Sequence, residues 1–102
     1  MQELNNQSFK QKVIDSKELV LVDFSATWCG PCQMQKPVLE DLENKVDFKI
    51  YSVDIDENQD LAASYNVNAV PTLMVFFNGS LKKSLAGFHS AEAIEKAVEE
   101  YK

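Results

Sequence analysis

Apolar residues fall in two rhythms along this chain. Residues 19–25, Leu-Val-Leu-Val-Asp-Phe-Ser, are apolar at every position but Asp23 and Ser25. A run without a polar alternate face predicts a central strand covered on both sides. Phe48 to Asp54 and Thr72 to Phe77 read as further strands, and a short edge strand fits Gln2 to Leu4. Asn78-Gly79 is a tight-turn pair, so Leu81 to Ala86 is predicted to return antiparallel to the strand before it. Elsewhere the apolar spacing becomes helical. Phe9 and Val13 mark a first helix, with Asn6 or Ser8 as its cap. Met34 to Asn44 reads as a second, with Met34, Val38 and Leu42 on one stripe, Leu39 beside it, and Pro37 expected to bend it. Asn58 is expected to cap a short helix containing Leu61, Ala62 and Tyr65. Ser90 is expected to cap a last one, with Ala91, Ile94, Val98 and Tyr101 inside. Strands and helices alternate, then a hairpin and a helix follow. This is an α/β pattern: a central mixed β-sheet flanked by helices on both faces.

No repeat, low-complexity tract or linker interrupts the 102 residues, so one domain over 1–102 is expected. Net charge is −6, which disfavours nucleic acid, because phosphate binding needs a basic footprint. All ten cationic residues are lysine, so the chain has no guanidinium fork for phosphate. No apolar run reaches membrane-spanning length. Residues 1–8 have neither a basic nor an apolar leader region, so no signal peptide is read there. Two cysteines in one motif then point to a reducing compartment, taken as the cytoplasm.

The chemistry concentrates in Phe24-Ser25-Ala26-Thr27-Trp28-Cys29-Gly30-Pro31-Cys32-Gln33, which holds both cysteines and the lone tryptophan. The thiols lie where a strand ends and a helix begins. Unpaired N–H groups and the macrodipole favour a thiolate at a helix start and lower its pKa. Pro31 suits a first helical turn, and Gly30 lets another backbone come close. Cys29 and Cys32, three apart, fall on one face within bonding reach. A disulfide closing so small a loop adds little as a staple. Zinc is the main competing reading, but a structural site usually takes four protein ligands. The chain offers two cysteines, carboxylates and the single His89, expected to be exposed. No metal is expected.

Trp28-Cys29-Gly30-Pro31-Cys32, after an apolar strand carrying Asp23, closely resembles the active site of the thioredoxin family. Asp23 six before Cys29, Pro37 eight after it, Val70-Pro71-Thr72 before a strand, Asn78-Gly79 and Gly87 extend the likeness over nearly the whole chain. The resemblance implies the thioredoxin fold and reversible reduction of protein disulfides. Cys29 would attack, Cys32 resolve the mixed disulfide, and Asp23 serve as proton carrier. A bland alternative for Asp23 is a turn or cap. Trp28, Gly30, Pro31, Val70, Pro71 and Gly87 would bind substrate, with Pro71 cis despite the usual preference for trans. No cofactor is implied beyond the Cys29–Cys32 disulfide. Implied partners are disulfide-containing proteins and a separate thioredoxin reductase feeding electron transport, with the chain a monomer serving redox homeostasis. A thioredoxin-fold binding subunit and an oxidase or isomerase relative are the alternatives. Ser25, Gln33 and Ser52 depart from common family residues; Ser52 stands where many members carry a lysine near the buried aspartate.

Overall fold

A computed structural model describes residues 1–102. Five strands form one sheet in the order β1-β3-β2-β4-β5. They are β1 (Gln2–Glu3), β2 (Leu19–Ser25), β3 (Lys49–Asp54), β4 (Thr72–Phe77) and β5 (Ser80–Ala86). β1, β3 and β2 run parallel, and β4 and β5 are antiparallel additions, so the sheet is mixed as expected. The helices are α1 (Asn6–Phe9), α2 (Gly30–Glu43), α3 (Gln59–Ser64) and α4 (Ala91–Val98).

β2 sits at the centre, and its side chains alternate between two cores. Val20, Val22 and Phe24 join Phe9, Val13, Tyr51, Val53, Met74 and Phe76, with Leu61 and Tyr65 packed against them. That is the α1 and α3 side of the sheet. Leu19 and Leu21 join Leu39 and Leu42 of α2, Ile50, Leu73 and Val75, and Ile94 and Val98 of α4 on the other. Period-two alternation therefore puts the next odd residue, Asp23, on the α2 side.

Several local expectations need correction. α1 is capped by Asn5, whose side chain accepts from Ser8 N while Ser8 Oγ accepts from Asn5 N, a capping box one residue earlier than read. The helix continues as a π-helical turn over Lys10–Ile14. Asn58 precedes α3 but its side chain donates backward to Asp54 O rather than capping. Met34 is exposed, and the buried stripe of α2 is Cys32, Gln35, Leu39 and Leu42. Ser90 Oγ does cap α4, accepting from Ala93 N at 3.2 Å. At the hairpin both Asn78 and Gly79 have positive φ, +54° and +79°, the conformation an Asn-Gly pair adopts most readily. A Cβ on Gly79 would collide with the Ile14 carbonyl oxygen.

Candidate active site

The thiol segment follows directly from β2. Its helix, α2, starts at Gly30 with Pro31 in the first turn and Cys29 as N-cap. Cys29 and Cys32 are joined as a disulfide, with Cα atoms 5.2 Å apart. The Cys32 backbone N–H donates to Cys29 Sγ at 3.1 Å. An unpaired helical donor thus points at one sulfur, the arrangement that favours a thiolate there once the disulfide is reduced. Val70 O lies 3.5 Å from the same sulfur.

Cys32 is no more buried than Cys29: each residue is 5% exposed. Their surroundings distinguish them. Cys32 lines a cleft of about 320 Å³ together with Asp23, Ser52, Lys36, Glu3 and Thr27, which Cys29 does not reach. Asp23 is 2% exposed, and no protein group donates to its Oδ1. In the sheet it is the register partner of Ser52, so a short hydroxyl stands beside it in place of an ammonium. Desolvation pushes its carboxyl up to about 7.

The Val70–Pro71 peptide bond is cis. Thr72 Oγ1 donates to Ala69 O at 2.6 Å across this turn. Gly87, with φ +87°, donates its N–H to Pro71 O at 2.7 Å, so the end of β5 is tied to the segment that touches Cys29. Trp28 is 67% exposed, and its Nε1–H donates to Asp56 Oδ2 at 2.7 Å. The structure therefore brings Cys29, Cys32, Trp28, Gly30, Pro31, Val70, Pro71 and Gly87 to one end of the sheet, with Asp23 beneath. His89 is half-buried rather than exposed, and its Nδ1 sits 2.8 Å from Gly87 O. It does not join the cysteines as a third ligand; the carboxylates Glu3, Asp54 and Glu57 group together without either cysteine, although Glu3 and Asp54 line the cleft that Cys32 lines.

Sequence reasoning missed two residues. Asp56, partner of Trp28, carries no local signal, because the pair is 28 residues apart. Gln35 is fully buried at 0% exposed, and its amide bonds both backbone groups of His89. Its signal was the three-four-three spacing of Cys32, Gln35, Leu39 and Leu42, a buried face with one polar member.

Comparison with known proteins gives one answer. The family profile described as Thioredoxin matches residues 1–100. A thioredoxin of Bacillus subtilis is 41% identical over 98 residues, covering 94% of this chain and 92% of that protein. The chloroplastic M-type thioredoxin of Spinacia oleracea is 36% identical over 103 residues, covering 99% of this chain, which spans 57% of that protein's length. A solved mutant thioredoxin from Halobacterium salinarum NRC-1 superposes with a TM-score of 0.90 at 38% identity, covering 98% of this chain and 88% of that one.

Proposed function

The chain belongs to the thioredoxin family and is a thiol–disulfide oxidoreductase that reduces protein disulfides, and we propose that Cys29 attacks, Cys32 resolves and Asp23 takes the proton from Cys32. One observation carries this division of labour: Cys29 Sγ accepts the Cys32 N–H at the mouth of α2, while Cys32 shares its cleft with Asp23. The Cys29 thiolate attacks one sulfur of the substrate disulfide. A mixed disulfide forms and the first substrate thiolate leaves. The Cys32 thiol gives its proton to the Asp23 carboxylate, attacks Cys29 Sγ, and expels the second substrate thiolate. The substrate gains two electrons, and the enzyme is left as the disulfide seen here.

The rest of the reading concerns the setting. Val70, Pro71 and Gly87, with Trp28, Gly30 and Pro31, receive the extended backbone of the substrate. Electrons come from a separate reductase, since the sequence has no nucleotide-binding fingerprint of its own. Residues 1–102 act as one domain and as a monomer. Both sheet edges support this: β1 is two residues long, and the exposed β5 carries Lys82 and Lys83. The cytoplasm is the proposed location, because the only cysteines are the redox pair and a reducing compartment suits them.

Alkylation and turnover test the roles together. Reduced protein near neutral pH should be labelled first at Cys29. Cys32→Ser should stop insulin reduction and accumulate a mixed disulfide through Cys29. Continued turnover by Cys32→Ser, or first labelling at Cys32, would reverse the assignment.

A further inference from the structure

Gln35 lies one turn beyond Cys32, on the buried face of α2, at a position where its neighbours Leu39 and Leu42 are apolar. A buried primary amide is costly unless its donor and acceptor are both paired. Here both are paired, and with the same residue. Gln35 Nε2 donates to His89 O at 2.9 Å, and His89 N donates to Gln35 Oε1 at 2.8 Å. His89 lies between β5 and α4, and neither of its backbone groups has a backbone partner. The amide therefore supplies the hydrogen bonds that fix this loop.

The connection continues around the disulfide. His89 Nδ1 is 2.8 Å from Gly87 O, Gly87 N donates to Pro71 O at 2.7 Å, and Val70 O lies 3.5 Å from Cys29 Sγ. Cys29 bonds Cys32, and one turn of helix returns to Gln35. The thiol helix, the Val70–Pro71 segment and the Gly87–His89 loop form a closed ring of contacts. Gln35 is the only side chain that fastens the loop to the helix with hydrogen bonds.

We propose that Gln35 is a positioning residue for disulfide reduction, holding the Gly87–His89 loop at a fixed distance from the thiols and so setting the width of the groove that a substrate backbone enters. This rests on the oxidoreductase reading with Cys29 as the attacking thiol. The chemistry selected is an extended peptide on both sides of its disulfide. A small disulfide that needs only the sulfur is indifferent to groove width.

The test uses the full chain, pre-reduced, in single-turnover reactions with two substrates: a disulfide-linked peptide long enough to fill the groove, and a small aromatic disulfide. Gln35→Met keeps length and volume but loses both hydrogen bonds. Its half-saturating peptide concentration should rise about five- to tenfold, as loss of roughly one net hydrogen bond implies. The limiting rate and the small-disulfide rate should stay within about twofold of wild type, since neither passes through the lost bonds. Gln35→Glu gives a second readout. Its protonated carboxyl both donates and accepts like the amide, while its carboxylate only accepts. Compared with wild type at each pH, it should match wild type near pH 5 and resemble Gln35→Met near pH 8. This pH series decides the matter even where the Met variant folds poorly. Unchanged peptide saturation in Gln35→Met, equal losses on both substrates, or a pH-independent Gln35→Glu would overturn the proposal. A wild-type protein inert towards both disulfides would instead overturn the oxidoreductase reading beneath it.

Discussion

Asp23 carries an ionisable group that the fold buries without an ion pair. The sheet places it on the α2 side, opposite Ser52, with Oδ1 unpartnered. Its folded pKa, pushed to about 7 by desolvation, lies above the ordinary value of 3.8. The native state therefore holds this proton more tightly than the unfolded chain. Stability falls as pH rises from about 4 to about 7, and the full penalty remains above that. A shift of that size corresponds to on the order of 4 kcal/mol. Asp23→Asn removes the ionisation and leaves a buried amide incompletely paired, so part of the gain is offset. The oxidised variant should be about 2–4 kcal/mol more stable than wild type at pH 8 and no more stable near pH 3.5. Urea unfolding across that range measures it, and a gain that ignores pH would mean the carboxyl does not titrate in the fold. In the reduced protein the same variant should resolve mixed disulfides more slowly while Cys29 attacks at a nearly normal rate, as rapid-mixing kinetics would show.

Among the elements, two glycines with different duties make a paired prediction. Gly79 has φ +79°, and a Cβ there would strike the Ile14 carbonyl oxygen. Gly30 sits in the first turn of α2 with open space around it. Gly79→Ala should cost about 1–3 kcal/mol, and Gly30→Ala should leave stability unchanged or raise it by up to about 1 kcal/mol. Thermal unfolding of both variants distinguishes them, and equal effects would contradict the turn geometry. The turn was legible beforehand because Asn-Gly has few other uses between apolar strands. β2 and β4 were legible to the residue, since Lys17-Glu18 sets the start of one apolar run and Pro71 and Asn78-Gly79 bound the other. The cap of α4 was legible in Ser90, but that of α1 was not: Asn5, Asn6 and Ser8 all have suitable side chains, and only the bonds made choose Asn5. The inner stripe of α2 was misread because Met34 is apolar and Gln35 is polar, whereas hydrogen bonding to a distant loop reverses their places. The thiol pair was legible because its spacing is local. The loop that Gln35 fastens was not, because the partners are 54 residues apart.

For the whole molecule, the sheet separates two cores that share strands but not helices. Leu39→Ala, on the α2 and α4 side, should cost about 2–5 kcal/mol, and Val13→Ala, on the α1 side, somewhat less. Neither residue belongs to the other's core, so the double variant should show the sum within about 0.5 kcal/mol. A larger departure would mean that the sheet transmits strain between its faces. The choice of signal for such measurements follows from where Trp28 sits. It is the only tryptophan, it stands beside the disulfide, and two-thirds of it is already in water in the native state. Unfolding changes its surroundings far less than it would those of a core indole. Tryptophan emission should therefore change little on unfolding, while circular dichroism follows the sheet and helices. The two signals should differ in amplitude but coincide once normalised, and a separate midpoint for the indole would mean that the thiol end opens apart from the rest of the fold.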